Sequence, residues 1–391
     1  MHVAFLNVPI EFYSPVSGGA LATVIVQMAR EFLRRGHRVT VLTPVNGDPL
    51  YEAGTVVPVA IKTASDLHRV RRKLSALRRK LQGWDLPYYE FYLRSYSREL
   101  ARLAPAPDAV VLMNDLVAPR YVKRAVPQAK IFTWFHNEWR TNSRNLPEAV
   151  ACTEKFVTCS DYIKTWMSRT TGIPLGKFVT AHNGVDLGEF FPAENFLEDT
   201  EKLRVLFVGR IDANKGPDIT ADAVAALQAE GLPISLSVAG GIWFYGHGNE
   251  MADPFFRSLK TKMDKVGARH LGHVTRPHVP DVFRQHDVVT VLSRANEPFG
   301  LVALEAMAAG CAVVASNRGG LPEACDGAAM LVNPDDLASV VNCLRMLGTD
   351  RALLREYKRK SVERAQRSPW AACATALEQA MLGPQPMEVA A

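Results

Sequence analysis

Two consecutive open α/β units, each a parallel sheet wrapped by helices, are the fold class that this 391-residue chain predicts. Short apolar runs alternate with longer helical patterns from the first residues onward, as expected where helices cover both faces of a parallel sheet. The alternation breaks once, over 185–202, into a polar and acidic stretch containing Pro192. It then restarts with the same rhythm. A length near 400 residues allows two full cores.

The elements follow in order. Val3–Val8, Val39–Thr43, Ala109–Met113, Lys130–Trp134, Phe156–Cys159 and Phe178–Ala181 are the strands of the first half. They are near-continuous apolar runs of four to six residues, too short for helices and without the alternation of a half-exposed strand. The second half offers Arg204–Val208, Ser235–Ala239, Val288–Leu292, Ala312–Ala315 and Ala329–Val332. Ser368-Pro369-Trp370 then opens a tail that is helical and apolar on one face. The expected organisation is a first domain over 1–187, joined by the tail 369–391, a linker over 188–202 and a second domain over 203–368. Two such units place a cleft where the C-terminal strand ends and their loops meet.

Composition narrows the class. With 48% hydrophobic and 22% charged residues the chain is neither disordered nor fibrous. No apolar run is long enough to span a bilayer, and Met1–Asn7 reads as a buried strand rather than a secretory signal. The six cysteines form no CxxC and sit mostly among apolar neighbours, which suits reduced thiols and a cytoplasmic protein. Residues 1–190 carry 25 Lys and Arg against 16 Asp and Glu, whereas 191–391 carry 21 against 24. A basic first half suits an anionic acceptor, a membrane surface or nucleic acid, or is simply scattered solvated charge. GxGxxG after the first strand, GxxxxGK[ST], HExxH and GxSxG are all missing.

Chemistry concentrates in two segments. Glu297-Pro298-Phe299-Gly300-Leu301-Val302-Ala303-Leu304-Glu305 follows a strand directly and holds two carboxylates eight positions apart, the second expected two turns into a helix. A glycine at such a turn lets a phosphate approach the N–H groups at the helix start, where the dipole favours anions. In Gly209-Arg210-Ile211-Asp212-Ala213-Asn214-Lys215-Gly216 a buried strand ends in a guanidinium fork, with a lysine five residues later. Two fixed cations there suit a diphosphate and take the place of a divalent metal, for which no Asp-x-Asp is present.

These segments, together with His182-Asn183-Gly184-Val185-Asp186, resemble glycosyltransferase family 4, whose fold is called GT-B. The likeness runs in order through nearly the whole chain and includes Ser17-Gly18-Gly19-Ala20, Phe135-His136-Asn137, Ser160-Asp161 and Gly319-Gly320-Leu321-Pro322-Glu323. It implies two Rossmann-like domains facing across a deep cleft, with the C-terminal helix crossing back to the first. The implied activity is retaining transfer of a hexosyl group from a nucleoside-diphosphate sugar to a glycan, lipid-linked or other hydroxyl acceptor in envelope or polysaccharide biosynthesis. By the same resemblance Arg210 and Lys215 would bind the donor diphosphate, aided by N–H groups at Phe299, Gly300, Leu301 and Val302 and in the Gly18-Gly19 loop, and Gly209 would also contact the donor. Glu305 would hold the ribose hydroxyls, Glu297 the transferred sugar, and His136 would touch sugar and phosphate. Asn137, Ser160 and Asn183 are candidates on the acceptor side. No cofactor or metal is implied beyond the donor, with a UDP-sugar favoured over a GDP-sugar.

Several features depart from the family pattern or remain open. Gly240–Glu250 is longer and more aromatic than the simplest family pattern and resembles spore-coat and polysaccharide members. It borders the donor or is a surface loop. Leu67, Val70, Leu74, Leu77 and Leu81 line one face of a basic amphipathic helix over 65–84, which either packs on the first domain or docks on an anionic membrane. Peripheral association with the inner face of the cell membrane is the second expectation. Nucleic acid is not expected as a partner, because stacking aromatics are not interleaved with the bases. A sugar-nucleotide 2-epimerase and a non-catalytic nucleotide-sugar-binding subunit are the alternatives on the same scaffold.

Overall fold

The computed structural model describes residues 1–60, 87–139, 146–242 and 249–383. The basic helix expected over 65–84 and most of the Gly240–Glu250 loop lie outside the described residues. The chain divides into two compact units, Met1–His182 with Ala371–Ala391, and Asn183–Trp370.

The first unit is built on β1 (His2–Leu6), β2 (Arg38–Thr43), β3 (Thr55–Pro58), β4 (Ala109–Met113), β5 (Lys130–Phe135), β6 (Lys155–Thr158) and β7 (Phe178–Thr180). All pair in parallel, in the order β3-β2-β1-β4-β5-β6-β7. Val3 stands opposite both Val39 and Ala109, and all five residues of β1 are buried. A strand covered on both faces must be apolar throughout, which is why these runs stand out in the sequence. Helices α1 (Ala20–Arg34), α2 (Pro87–Ala101), α3 (Ala118–Ala125), α4 (Leu146–Cys152) and α5 (Asp161–Thr171) connect them. Ser160 caps α5 by accepting the Ile163 N–H at 3.1 Å, and Gly172 ends it at φ +74°.

The last helix among the described residues, α13, spans Trp370–Leu382. From Ala371 onward it is part of the first unit. Cys373, Ala374, Leu377 and Met381 recur at helical spacing and are buried. Arg35 and His37 grip Glu378 at 2.5 and 2.6 Å, and Lys130 Nζ donates to the Met381 carbonyl at 3.1 Å.

The second unit repeats the plan with β8 (Leu203–Val208), β9 (Ile234–Ala239), β10 (Arg269–Gly272), β11 (Val288–Val291), β12 (Ala312–Ser316) and β13 (Met330–Val332). Its order is β10-β9-β8-β11-β12-β13, again parallel. Its helices are α6 (Pro217–Ala229), α7 (Pro254–Lys265), α8 (Val279–Arg284), α9 (Leu301–Ala308), α10 (Leu321–Cys325), α11 (Leu337–Thr349) and α12 (Arg351–Gln366). The division falls at His182/Asn183, five residues before the expected 187. The stretch expected as a linker over 188–202 is packed into this unit. Phe190 is fully buried against Phe283, and Lys358 Nζ donates to the Phe196 carbonyl at 2.8 Å. Both its aromatic content and these contacts supply the apolar burial that a free linker lacks.

Just before β11 Asp287 is fully buried between Arg204, which bonds it at 2.9 Å through two nitrogens, and Lys358 at 2.7 Å. Burial alone would raise its carboxyl, but the hydrogen bonds and charges of Arg204 and Lys358 outweigh burial and hold it below the usual carboxylate range. None of the six cysteines is in a disulfide. No helix among the described residues is long and apolar enough to cross a membrane.

Candidate functional site

In an open parallel sheet a crevice forms where successive connections leave a strand in opposite directions. In the second unit that place lies between β8 and β11, because β9 and β10 extend one way and β11 to β13 the other. The loops leaving these two strands carry the residues singled out above.

After β8, Arg210 Nε donates to Asp212 Oδ2 at 2.6 Å, and Asp212 Oδ1 accepts the Asn214 N–H at 2.8 Å. A short 3₁₀ turn, Ala213–Lys215, follows and presents Lys215. It ends at Gly216, whose φ is +70° and where a Cβ would stand 2.2 Å from the Leu292 carbonyl oxygen. Only glycine lets this turn lie against the end of β11. Arg294 locks the two loops together. Its guanidinium grips Asp218 bidentately at 2.9 and 2.7 Å and donates to the Ala213 carbonyl at 2.6 Å, while its N–H donates to the Asn214 carbonyl. Arg318 in turn donates to the Arg294 carbonyl at 2.6 Å.

The result joins residues 82 positions apart: Lys215 Nζ bonds Glu297 Oε1, which also accepts the Ser293 hydroxyl at 2.5 Å. The Glu297 side chain is 13% exposed and that of Lys215 35%. The Glu297 backbone is clamped from the far side by Gly319-Gly320. Gly320 N–H donates to the Glu297 carbonyl at 2.7 Å, and a Cβ at Gly319, φ +61°, would meet that same oxygen at 2.2 Å. Pro298, Phe299 and Gly300 then lead into α9, where Phe299 is buried. The N–H groups of Leu301 and Val302 open the helix and so have no carbonyl one turn earlier within it. Glu305 is the fifth residue of α9, one turn in rather than the expected two, because the helix begins only at Leu301. Its carboxylate is nearly buried and accepts from Arg276 Nη1 at 2.6 Å.

In the first unit the corresponding place lies between β1 and β4. Asn114, just past β4, adopts φ +50° and takes the Trp134 carbonyl with its N–H at 2.9 Å. Its side-chain oxygen accepts the His136 N–H at 2.6 Å. This fixes His136 at the end of β5, tilted against Trp134 with ring centroids 4.9 Å apart. Burial pushes the imidazole down to about 3, so it is neutral at physiological pH, and its Nε2 is buried without a hydrogen-bond partner among the described residues. At the glycine-rich loop a carboxylate is already in place: Glu11 Oε1 accepts the Ala22 N–H of α1 at 2.7 Å, and a Cβ at Gly19 would stand 2.9 Å from it. Burial raises the Glu11 carboxyl against these N–H groups, which lower it. The donor role expected of the Gly18-Gly19 N–H groups therefore meets an internal anion at the next turn.

Of the acceptor-side candidates, Ser160 is a helix cap in the first unit, Asn137 is exposed there, and Asn183 belongs to the second unit, buried with its Oδ1 unpartnered among the described residues. Sequence reasoning missed Glu11, Asn114, Asp212, Arg276 and Arg294. Asp212 lay inside the quoted motif. The others are single polar residues whose partners are remote in sequence.

The chain is similar to known glycosyltransferases in sequence and in fold. Residues 18–189 match the model of Glycosyltransferase Family 4, and residues 202–350 that of the Glycosyl transferases group 1. Spore coat protein SA of Bacillus subtilis is 28% identical over 270 residues, covering 62% of this chain and 70% of that protein. A D-inositol 3-phosphate glycosyltransferase of Mycolicibacterium smegmatis is 35% identical over 209 residues, 50% of this chain and 45% of that one. The chain thus spans about half the length of the inositol phosphate enzyme it matches. In fold it is similar to sucrose-phosphate synthase from Thermosynechococcus elongatus (TM-score 0.72, 18% identity, 97% of both chains). It is also similar to Anabaena HepE, solved with UDP and glucose (TM-score 0.71, 16% identity, 98% of this chain and 99% of that one).

Proposed function

The chain belongs to glycosyltransferase family 4 with the GT-B fold, and from that premise we propose that it transfers a hexosyl group from a nucleoside-diphosphate sugar with retention of anomeric configuration. The observation that carries this reading is the junction of Lys215 and Glu297 over the β8/β11 crevice, beside the start of α9 and one turn from Glu305. Bond breaking between the anomeric carbon and the phosphate oxygen builds negative charge on the leaving diphosphate. Lys215, Arg210 and the first N–H groups of α9 are preorganised donors for that charge, so no metal is needed. Glu305 accepts from the ribose hydroxyls and Glu297 from the transferred sugar. The acceptor hydroxyl attacks from the face that the diphosphate leaves, and the leaving phosphate oxygen takes its proton. Such a step requires no protein nucleophile. Neutral His136, whose Nε2 has no partner among the described residues, contributes a polar contact to the sugar without adding charge.

UDP is the favoured nucleotide, supported by the Anabaena neighbour solved with it. The acceptor is a glycan or lipid-linked hydroxyl in envelope or polysaccharide synthesis on the cytoplasmic side, with the basic segment 65–84 as the contact to anionic lipid. A thermal-stability panel of UDP, GDP, ADP and their sugars tests the donor assignment, because a ligand bound only by the folded state raises its stability by mass action. Stabilisation by one nucleoside diphosphate and its sugar is expected. Indifference to every nucleotide, or turnover of a donor into its 2-epimer without an acceptor, would overturn it.

A further inference from the structure

Arg276 lies on the turn between β10 and α8, outside every motif considered above, yet it is the residue that holds Glu305. Its Nη1 donates to Glu305 Oε1 at 2.6 Å and its Nε to Glu189 Oε1 at 3.1 Å. The guanidinium also stacks 4.7 Å above the Phe190 ring. Phe190 is fully buried and packed on Phe283 of α8 at 6.0 Å. Three contacts from two elements therefore fix the planar fork, and only one carboxylate oxygen of Glu305 is used. Among the described residues Oε2 has no hydrogen-bond partner.

A nearly buried carboxylate needs a counter-charge, and it recognises a vicinal diol only if its plane is held. Arginine supplies both, since its fork sets direction as well as charge. Resting on the reading that Glu305 meets the ribose, we propose that Arg276 is a positioning residue that sets the selectivity of this site for a ribonucleotide over one lacking its hydroxyls. It anchors Oε1 so that Oε2, and the remaining lone pair of Oε1, face the diol. Glu189, held on the other side, keeps the guanidinium from following Glu305 into other rotamers. Glu189 is itself raised by burial, opposed by Arg276 and reinforced by the Glu305 and Asp186 charges. The two carboxylates thus share one cation.

The experiment measures Kd for UDP and for 2′,3′-dideoxyuridine diphosphate by titration calorimetry, with GDP and its dideoxy form in parallel. A hydrogen bond to a charged group corresponds to roughly 10–150-fold in affinity, so the wild type should prefer the ribonucleotide by at least tenfold. In Arg276→Met the ribonucleotide should weaken toward its dideoxy form, while the dideoxy affinity stays within about threefold of wild type. A merely structural role would weaken both forms alike. Arg276→Lys keeps the charge but not the fork and should lower the preference at least threefold, which covers the case of a methionine variant that does not fold. A wild-type preference retained in either variant overturns the proposal. No preference in the wild type instead removes Glu305 from the ribose, and the underlying reading falls first.

Discussion

Replacing Lys215 by alanine separates catalysis from folding more cleanly than any other change at this site. Among the described residues the lysine makes one ion pair, with Glu297, and its side chain is 35% exposed. A pair so open to solvent is worth about 0–1 kcal/mol, which for a unit of this size moves Tm by about 2–4 °C at most. No backbone group depends on it, since the turn is held by Gly216, Asp212 and Arg294. In transfer the same ammonium meets the growing diphosphate charge. Losing one preorganised donor of this kind costs about 10²–10³ in rate, about 2.7–4 kcal/mol. The alanine variant also leaves Glu297, with Ser293 as its remaining partner, facing the phosphates as an uncompensated anion. The assay is release of nucleoside diphosphate from UDP-glucose and GDP-mannose, run beside thermal unfolding of the same preparation. Expected is a rate at least a hundredfold lower with Tm within a few degrees of wild type. A variant that keeps more than a third of wild-type turnover refutes the argument. So does a Tm loss above about 10 °C, which would make Lys215 part of the frame.

Activity should survive excess EDTA, and restoration of chelated enzyme by Mg²⁺ or Mn²⁺ would show that Lys215 and Arg210 do not replace a metal. NMR of the product should find the donor's anomeric configuration kept; an inverted linkage contradicts same-face attack. His136→Ala should lower turnover more than donor affinity, and a pure rise in KM would mean uniform binding instead. Because the folded protein refuses at His136 a proton that the unfolded chain takes below about pH 6.5, stability falls as acid is added from that pH toward about 3; removing the imidazole should flatten that part of the curve. Asp287 adds to the loss at lower pH: its carboxyl is depressed in the folded state, so its stabilisation is complete above about pH 4–5 and disappears as pH falls below the unfolded value near 3.9. Lys358→Met breaks the buried pair and should cost about 3–5 kcal/mol, read as denaturant midpoint, with nucleotide affinity unchanged.

The buried strands of both sheets are legible in the sequence because a strand covered on two faces leaves a continuous apolar run. Their observed bounds, such as His2–Leu6 and Leu203–Val208, lie within one or two residues of the expected ones. Thr55–Pro58 and Arg269–Gly272 were not legible. Both are edge strands, partly exposed, and they end in Pro58 and Gly272, residues that read as turn signals rather than strand. The Gly-Arg-x4-Lys and Glu-x7-Glu segments were equally readable, since each is a local turn whose chemistry and spacing are contiguous. What folding alone decided is which charges meet. Lys215 finds Glu297 through a turn that glycine permits at 216. Glu305 depends on an arginine from a different loop, His136 on an asparagine past a neighbouring strand, and the start of α1 on Glu11. Periodicity records which face of an element is buried. It holds no record of which single polar side chain, tens of residues away, is brought to that face by strand order and register, and the electrostatics of the site are set there.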